Sequence, residues 1–169
     1  ASDVYKRQEL FVSLNQNDLL RETEIYFIEN TTDGSDPTYD ARTFPMNDNA
    51  TSVFTRLVEG DQGVDLSIQA LAYSEMWDKV IPLGINALGG EEMTISISHR
   101  TTPADLNIYL EDTEEGTMTN LLDGDFVYTP TSDLSGVGRF FIHMTADTMS
   151  NGEVSTSMLN AYKEIDASY

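Results

Sequence analysis

The stretch Asp33-Gly34-Ser35-Asp36-Pro37-Thr38-Tyr39-Asp40 carries three carboxylates at spacings of three and four, with Gly34 and Pro37 to bend the backbone between them. Asp48 follows a little further along. Oxygens gathered in this way suit Ca2+, which takes about 6–8 oxygen ligands at roughly 2.3–2.6 Å. Asp33, Asp36, Asp40 and Asp48 are therefore the candidate metal ligands, and calcium is the candidate cofactor. The spacing is not that of an EF-hand loop. The competing reading is a turn-rich surface loop whose Asp side chains accept hydrogen bonds from nearby backbone N–H groups. Asp123-Gly124-Asp125 is a second acidic turn and reads as a hairpin corner.

Trp77 is the single tryptophan, set in Tyr73-Ser74-Glu75-Met76-Trp77-Asp78. Trp77, Tyr73 and, from the acidic loop, Tyr39 are the candidate ligand-binding residues, since an exposed ring can stack on the apolar face of a sugar. Against that, large aromatics are mostly buried, and Trp77 would then pack over one end of the fold. His99 and His143 are the two histidines. A Ser-His-Asp triad needs a histidine held by a carboxylate and touching a serine. Nothing local suggests one, and no Gly-x-Ser-x-Gly elbow is present. Two histidines and no cysteine argue against zinc. No motif singles out a pair of carboxylates for glycoside hydrolysis among the 29 acidic residues. The expectation is a protein that is not an enzyme.

These residues need a scaffold, and composition limits which. With 169 residues the chain suits one domain with a core of its own. Net charge is −20, from 29 acidic and 9 basic residues. Such a surface repels phosphate backbones and anionic membranes, so no nucleic acid is expected as a partner. High salt relieves the self-repulsion, because the Debye length falls from about 10 Å at 0.1 M to about 3 Å at 1 M. Absence of cysteine excludes disulfides and thiolate chemistry. No apolar run approaches the ~20 residues of a spanning helix, so no membrane insertion is expected.

The pattern along the chain is that of strands. Residues 10–14 and 24–29 are β-branched and aromatic, and a long loop at 30–49 follows. Residues 52–58 alternate. Residues 64–71 alternate more cleanly, which predicts Val64, Leu66, Ile68 and Ala70 on the core face and Asp65, Ser67 and Gln69 outside. Residues 80–85 are apolar and read as central, although Pro82 argues for an edge or a bulge. Further strands are expected at 92–98, 106–110, 117–121, 126–129 and 138–145. About ten short strands without a helical period predict an all-β fold: a two-sheet antiparallel β-sandwich of jelly-roll-like topology. Residues 9–146 form this domain. Residues 147–169 read as a linker or a strap. Residues 1–8 resemble a translated sequencing-adapter tail at the end of a metagenomic open reading frame, and are expected to be non-native.

Three groups of segments carry a family resemblance. The first is Val80-Ile81-Pro82-Leu83-Gly84-Ile85 with Glu92-Met93-Thr94-Ile95-Ser96-Ile97. The second is Leu106-Asn107-Ile108-Tyr109-Leu110-Glu111-Asp112 with Asn120-Leu121 and Phe126-Val127-Tyr128-Thr129. The third is Gly138-Arg139-Phe140-Phe141-Ile142. Their order and spacing resemble the non-catalytic β-sandwich module that precedes the type IX secretion sorting domain in secreted Bacteroidota proteins. Leu159-Asn160-Ala161-Tyr162-Lys163 resembles the lead-in to that sorting domain. The resemblance implies a secreted or cell-surface location outside the outer membrane, no enzymatic activity, and upstream domains of the same polypeptide as partners. Members have a similar Asp- and Tyr-containing loop where residues 33–40 lie. The functional expectation is a structural, adhesion or presentation module. The alternative is a calcium-dependent carbohydrate-binding module acting on a polysaccharide or cell-surface glycan.

Overall fold

Asn17 and Asp18 both take positive φ, 52° and 63°. A two-residue turn of this kind matches the twist of the strands it joins. Asn and Asp tolerate it because their short polar side chains bond locally. It closes a long antiparallel hairpin between β1 (Arg7–Gln16) and β2 (Leu19–Ile28), running from Gln16 opposite Leu19 to Arg7 opposite Ile28. The computed structural model describes residues 6–37, 39–42 and 51–146. Arg7 and Gln8 are part of β1. Residues 147–169 lie outside the described residues.

The remaining strands are β3 (Ala41–Arg42), β4 (Ser52–Thr55), β5 (Leu66–Ala72), β6 (Asp78–Asn86), β7 (Met93–Arg100), β8 (Asn107–Asp112), β9 (Thr117–Asn120), β10 (Phe126–Tyr128) and β11 (Phe140–Thr145). A single 3-10 turn, Tyr73–Glu75, lies between β5 and β6. The chain is all-β. Its strands form one hydrogen-bonded path, β10-β7-β1-β2-β5-β4-β6-β11-β8-β9, with β3 on β5. This is one sheet nearly closed into a barrel, where alternation had suggested two sheets. The join is β4: it pairs along its length with β6 and touches β5 through Thr55 opposite Leu66. β2 and β5 run parallel, which an all-antiparallel expectation had missed.

β10, at one end of the path, meets β11, third from the other end, across a seam. Arg139 lies 4.9 Å over the Tyr128 ring of β10 and 5.1 Å over Phe140 of β11. Phe126 and Phe140 meet edge to face with centroids 5.8 Å apart. Arg139 is anchored in turn by the buried Asp112, with Nε and Nη2 donating at 2.9 and 3.0 Å. Asp112 also accepts the backbone N–H groups of Glu114 and Glu115, which fixes the β8–β9 turn.

Alternation fills the interior. Leu10, Val12 and Leu14 of β1, Ile25 and Phe27 of β2, Ile81, Leu83 and Ile85 of β6, and Ile142 and Met144 of β11 belong to one buried cluster. On β5 Leu66 and Ala70 are buried as expected, but two neighbours depart from the expected alternation. Gln69 and Leu71 pair with Ile25 and Phe27 and are fully buried, while Ile68 is half-buried on the other face.

Pro82 explains the buried glutamine. It sits inside β6, flanked by β4 and β11, and its carbonyl accepts from the Arg56 N–H just past the end of β4. Pro82 has no N–H to return to the Arg56 carbonyl. Gln69 supplies that donor instead: its Nε2 donates to Arg56 O at 2.9 Å and to Thr55 Oγ1 at 2.7 Å. The proline inside the sheet and the glutamine inside the core are thus linked, with Gln69 Oε1 finding no partner among the described residues.

Gly84 of β6 stands opposite Phe54 of β4. A Cβ added at Gly84 would fall 2.0 Å from the Phe54 ring. Gly84→Ala therefore forces Phe54 out of place and should cost about 1–3 kcal/mol, read from urea unfolding. A variant as stable as the parent would mean that Phe54 does not lie on this glycine.

Candidate functional site

β2 and β5 are parallel neighbours, with Glu24 opposite Ile68 through Ile28 opposite Ala72. Both strands therefore end at the same end of the barrel, and the chain leaves them side by side. Carboxyl ends of parallel strands leave room for a crevice in other folds for the same reason. The loop leaving β2 holds Asp33, Asp36, Tyr39 and Asp40. The turn leaving β5 holds Tyr73 and precedes Trp77. The pairing of β2 with β5 thus brings the two candidate regions to one end of the molecule.

Asp33 locks the two together. It is buried, and its carboxylate accepts the Ala72 N–H at 3.2 Å and forms an ion pair with Lys79 of β6, itself 7% exposed. The Lys79 ammonium also reaches the exposed Glu75 carboxylate at 3.3 Å. Thr31 adds a second tie, its hydroxyl lying 2.8 Å from the carbonyls of both Ile28 and Leu71.

The other aspartates are committed to the loop itself. Asp36 accepts from the backbone N–H of Thr32 at 2.9 Å and from its hydroxyl at 3.2 Å. Asp40 accepts the Asp36 N–H at 2.6 Å and the Ala70 N–H at 2.8 Å. Burial pushes the Asp40 carboxyl above the usual carboxylate range, and the two N–H donors pull the other way. Among the described residues no three His, Asp or Glu side chains gather in a way that could hold a metal ion. Calcium on Asp33 would have to displace Lys79. Asp48 lies outside the described residues.

Tyr73 and Trp77 are half-buried and pack against the core cluster, while Tyr39 is 48% exposed. Beside the lock lies a cleft of about 440 Å³, lined by Lys6, Glu29, Asn30, Thr31, Ala72, Tyr73 and Ser74. Lys6 and Glu29 face each other loosely at 3.9 Å, both largely solvent-exposed. Tyr73 is thus the candidate aromatic that lines this cleft.

Between β8 and β11, His143 Nε2 lies 2.7 Å from Glu111 Oε1, with both side chains buried. Among the described residues His143 Nδ1 has no hydrogen-bond partner. His99 pairs with Glu9 at 2.9 Å on the exposed face of β1 and β7, and this contact holds the Glu9 carboxyl below its ordinary value.

Sequence reasoning missed Lys79, Glu29, Asn30 and Ser74. Lys79 carried one signal, a lone basic residue at the head of an apolar strand in a chain poor in cations. Asn30 carried another, as an Asn at a strand end, where it takes φ 66° and turns the chain toward Asp33.

Among known families, one described as a domain of unknown function (DUF8693) matches residues 5–144. No curated protein matches the chain, and no solved structure does.

Proposed function

We propose that this chain, which belongs to the DUF8693 family, is a non-catalytic structural, adhesion or presentation module of an exported bacterial protein, held at the cell surface or released. The observation that carries this reading is the Asp33–Lys79 lock. Charged groups that would do chemistry in a catalytic site are here tied to each other and to the backbone. They make one end of the barrel a rigid platform built from two loops. The acidic surface suits a salty exterior, where self-repulsion is screened. In this reading the two halves of the path, β10 to β5 and β4 to β9, act as the walls of a sandwich-like, jelly-roll-like body around one core. The test is deletion of residues 6–146 from the full-length polypeptide. Surface attachment or adherence of the producing cells should fall while the activities of the other domains persist. Unchanged adherence would sink the proposal.

A second reading, a carbohydrate-binding module, is favoured by the cleft beside Tyr73. In its calcium-dependent form it requires the loop to bind the ion. With Asp33 paired to Lys79, the melting temperature should be the same in EDTA and in millimolar Ca2+. A rise of several degrees on adding Ca2+ would show binding to the native state and restore the aspartates as ligands.

A further inference from the structure

We propose that the cleft between the loop leaving β2 and the turn leaving β5 binds a neutral saccharide without a metal ion, the sugar ring lying on Tyr73 and its hydroxyls on Glu29, Asn30, Ser74 and Lys6. This deepens the carbohydrate-binding reading and rests on it. The cleft, about 440 Å³, falls within the range of small-molecule sites. Its lining mixes one ammonium, one carboxylate, one carboxamide and two aliphatic hydroxyls, those of Thr31 and Ser74, with a single aromatic wall. A phosphate or sulfate wants donors alone, and an ammonium wants acceptors alone. A hydroxyl both donates and accepts, so a polyol satisfies every polar group of such a set. Lys6 and Glu29 cancel each other, which leaves no local charge to select an ionic ligand. The chain's net charge of −20 works against a polyanion at a distance.

The walls are preformed. Thr31 ties the ends of β2 and β5, and Asp33 holds Ala72 through its backbone N–H. Asn30 takes a left-handed backbone, φ 66°, where the chain leaves β2. A pre-ordered site loses less entropy on binding. No metal is needed to shape it, because the Lys79 ammonium already occupies the place beside Asp33 where a cation would sit.

The test is titration calorimetry of the full chain in EDTA with neutral cello-, manno- and laminari-oligosaccharides, and with oligogalacturonate as the acidic arm. Three variants are compared: Tyr73→Ala, Glu29→Gln and Asn30→Gly. Asn30→Gly keeps the left-handed backbone and removes only the carboxamide. Unchanged melting temperatures of Glu29→Gln and Asn30→Gly show that these two are folded. At least one neutral series should bind in EDTA. Tyr73→Ala should weaken it about tenfold, and the two polar variants about 3- to 10-fold. Neutral binding that all three variants leave untouched overturns this site and leaves the carbohydrate-binding reading standing. Binding confined to the acidic series overturns the neutral ligand, and binding that appears only with Ca2+ overturns metal independence. No binding of any series, with or without Ca2+, overturns both the site and the reading it rests on.

Discussion

Lys79→Met lowers the unfolding free energy by about 3–5 kcal/mol, the size expected when one partner of a buried ion pair is removed and the other stays. Both charges are taken from water: Asp33 is 5% exposed and Lys79 7%. Methionine keeps the length and apolar stem of lysine, so the loss reports the stranded Asp33 carboxylate rather than a cavity. The damage should be local as well. Amide exchange should quicken at Ala72 and in the loop leaving β2, while the hairpin of β1 and β2 keeps its protection. Urea unfolding with hydrogen exchange on the same sample reads both effects. A change under about 1 kcal/mol would mean that the pair is solvated and the platform is held by other contacts.

Asp112→Ala has a comparable effect at the other critical point, again about 3–5 kcal/mol. Asp112 is fully buried, and it takes two donors from Arg139 and two from the β8–β9 turn. Without it Arg139 loses its anchor, and with that its place over Tyr128 and Phe140. The seam between β10 and β11 should open first. Amides of β10 should therefore lose protection before those of β6. Equal loss across the whole sheet would place the closing contacts elsewhere.

Much of the scaffold was legible in the chain. The alternation at 92–98 and 106–110 emerged as β7 and β8, and Glu114-Glu115-Gly116 forms part of the turn into β9. Two kinds of information were not local. One is pairing: no pattern within β2 or β5 says that they lie parallel, and that fact places the Asp-rich loop beside Tyr73 and Trp77. The other is compensation. Gln69 reads as a solvent-facing residue in the alternation of β5, and its interior place follows only from Pro82, a residue that sits on another strand. The candidate loop was found by its carboxylates, yet their work was half visible. The capping of the Thr32 N–H by Asp36 and of the Asp36 N–H by Asp40 follows from ordinary turn chemistry. The partner of Asp33 lies 46 residues away, and only the fold brings Lys79 to it.

The central claim is that the loops leaving β2 and β5 form one rigid unit through Asp33 and Lys79. A double-mutant cycle tests it most directly, using Asp33→Asn, Lys79→Met and the double variant, each read by urea unfolding. Removing both charges should cost far less than the sum of the single changes, with a coupling of about 2–3 kcal/mol. Single effects that add to within about 0.5 kcal/mol would contradict the lock and the platform built on it.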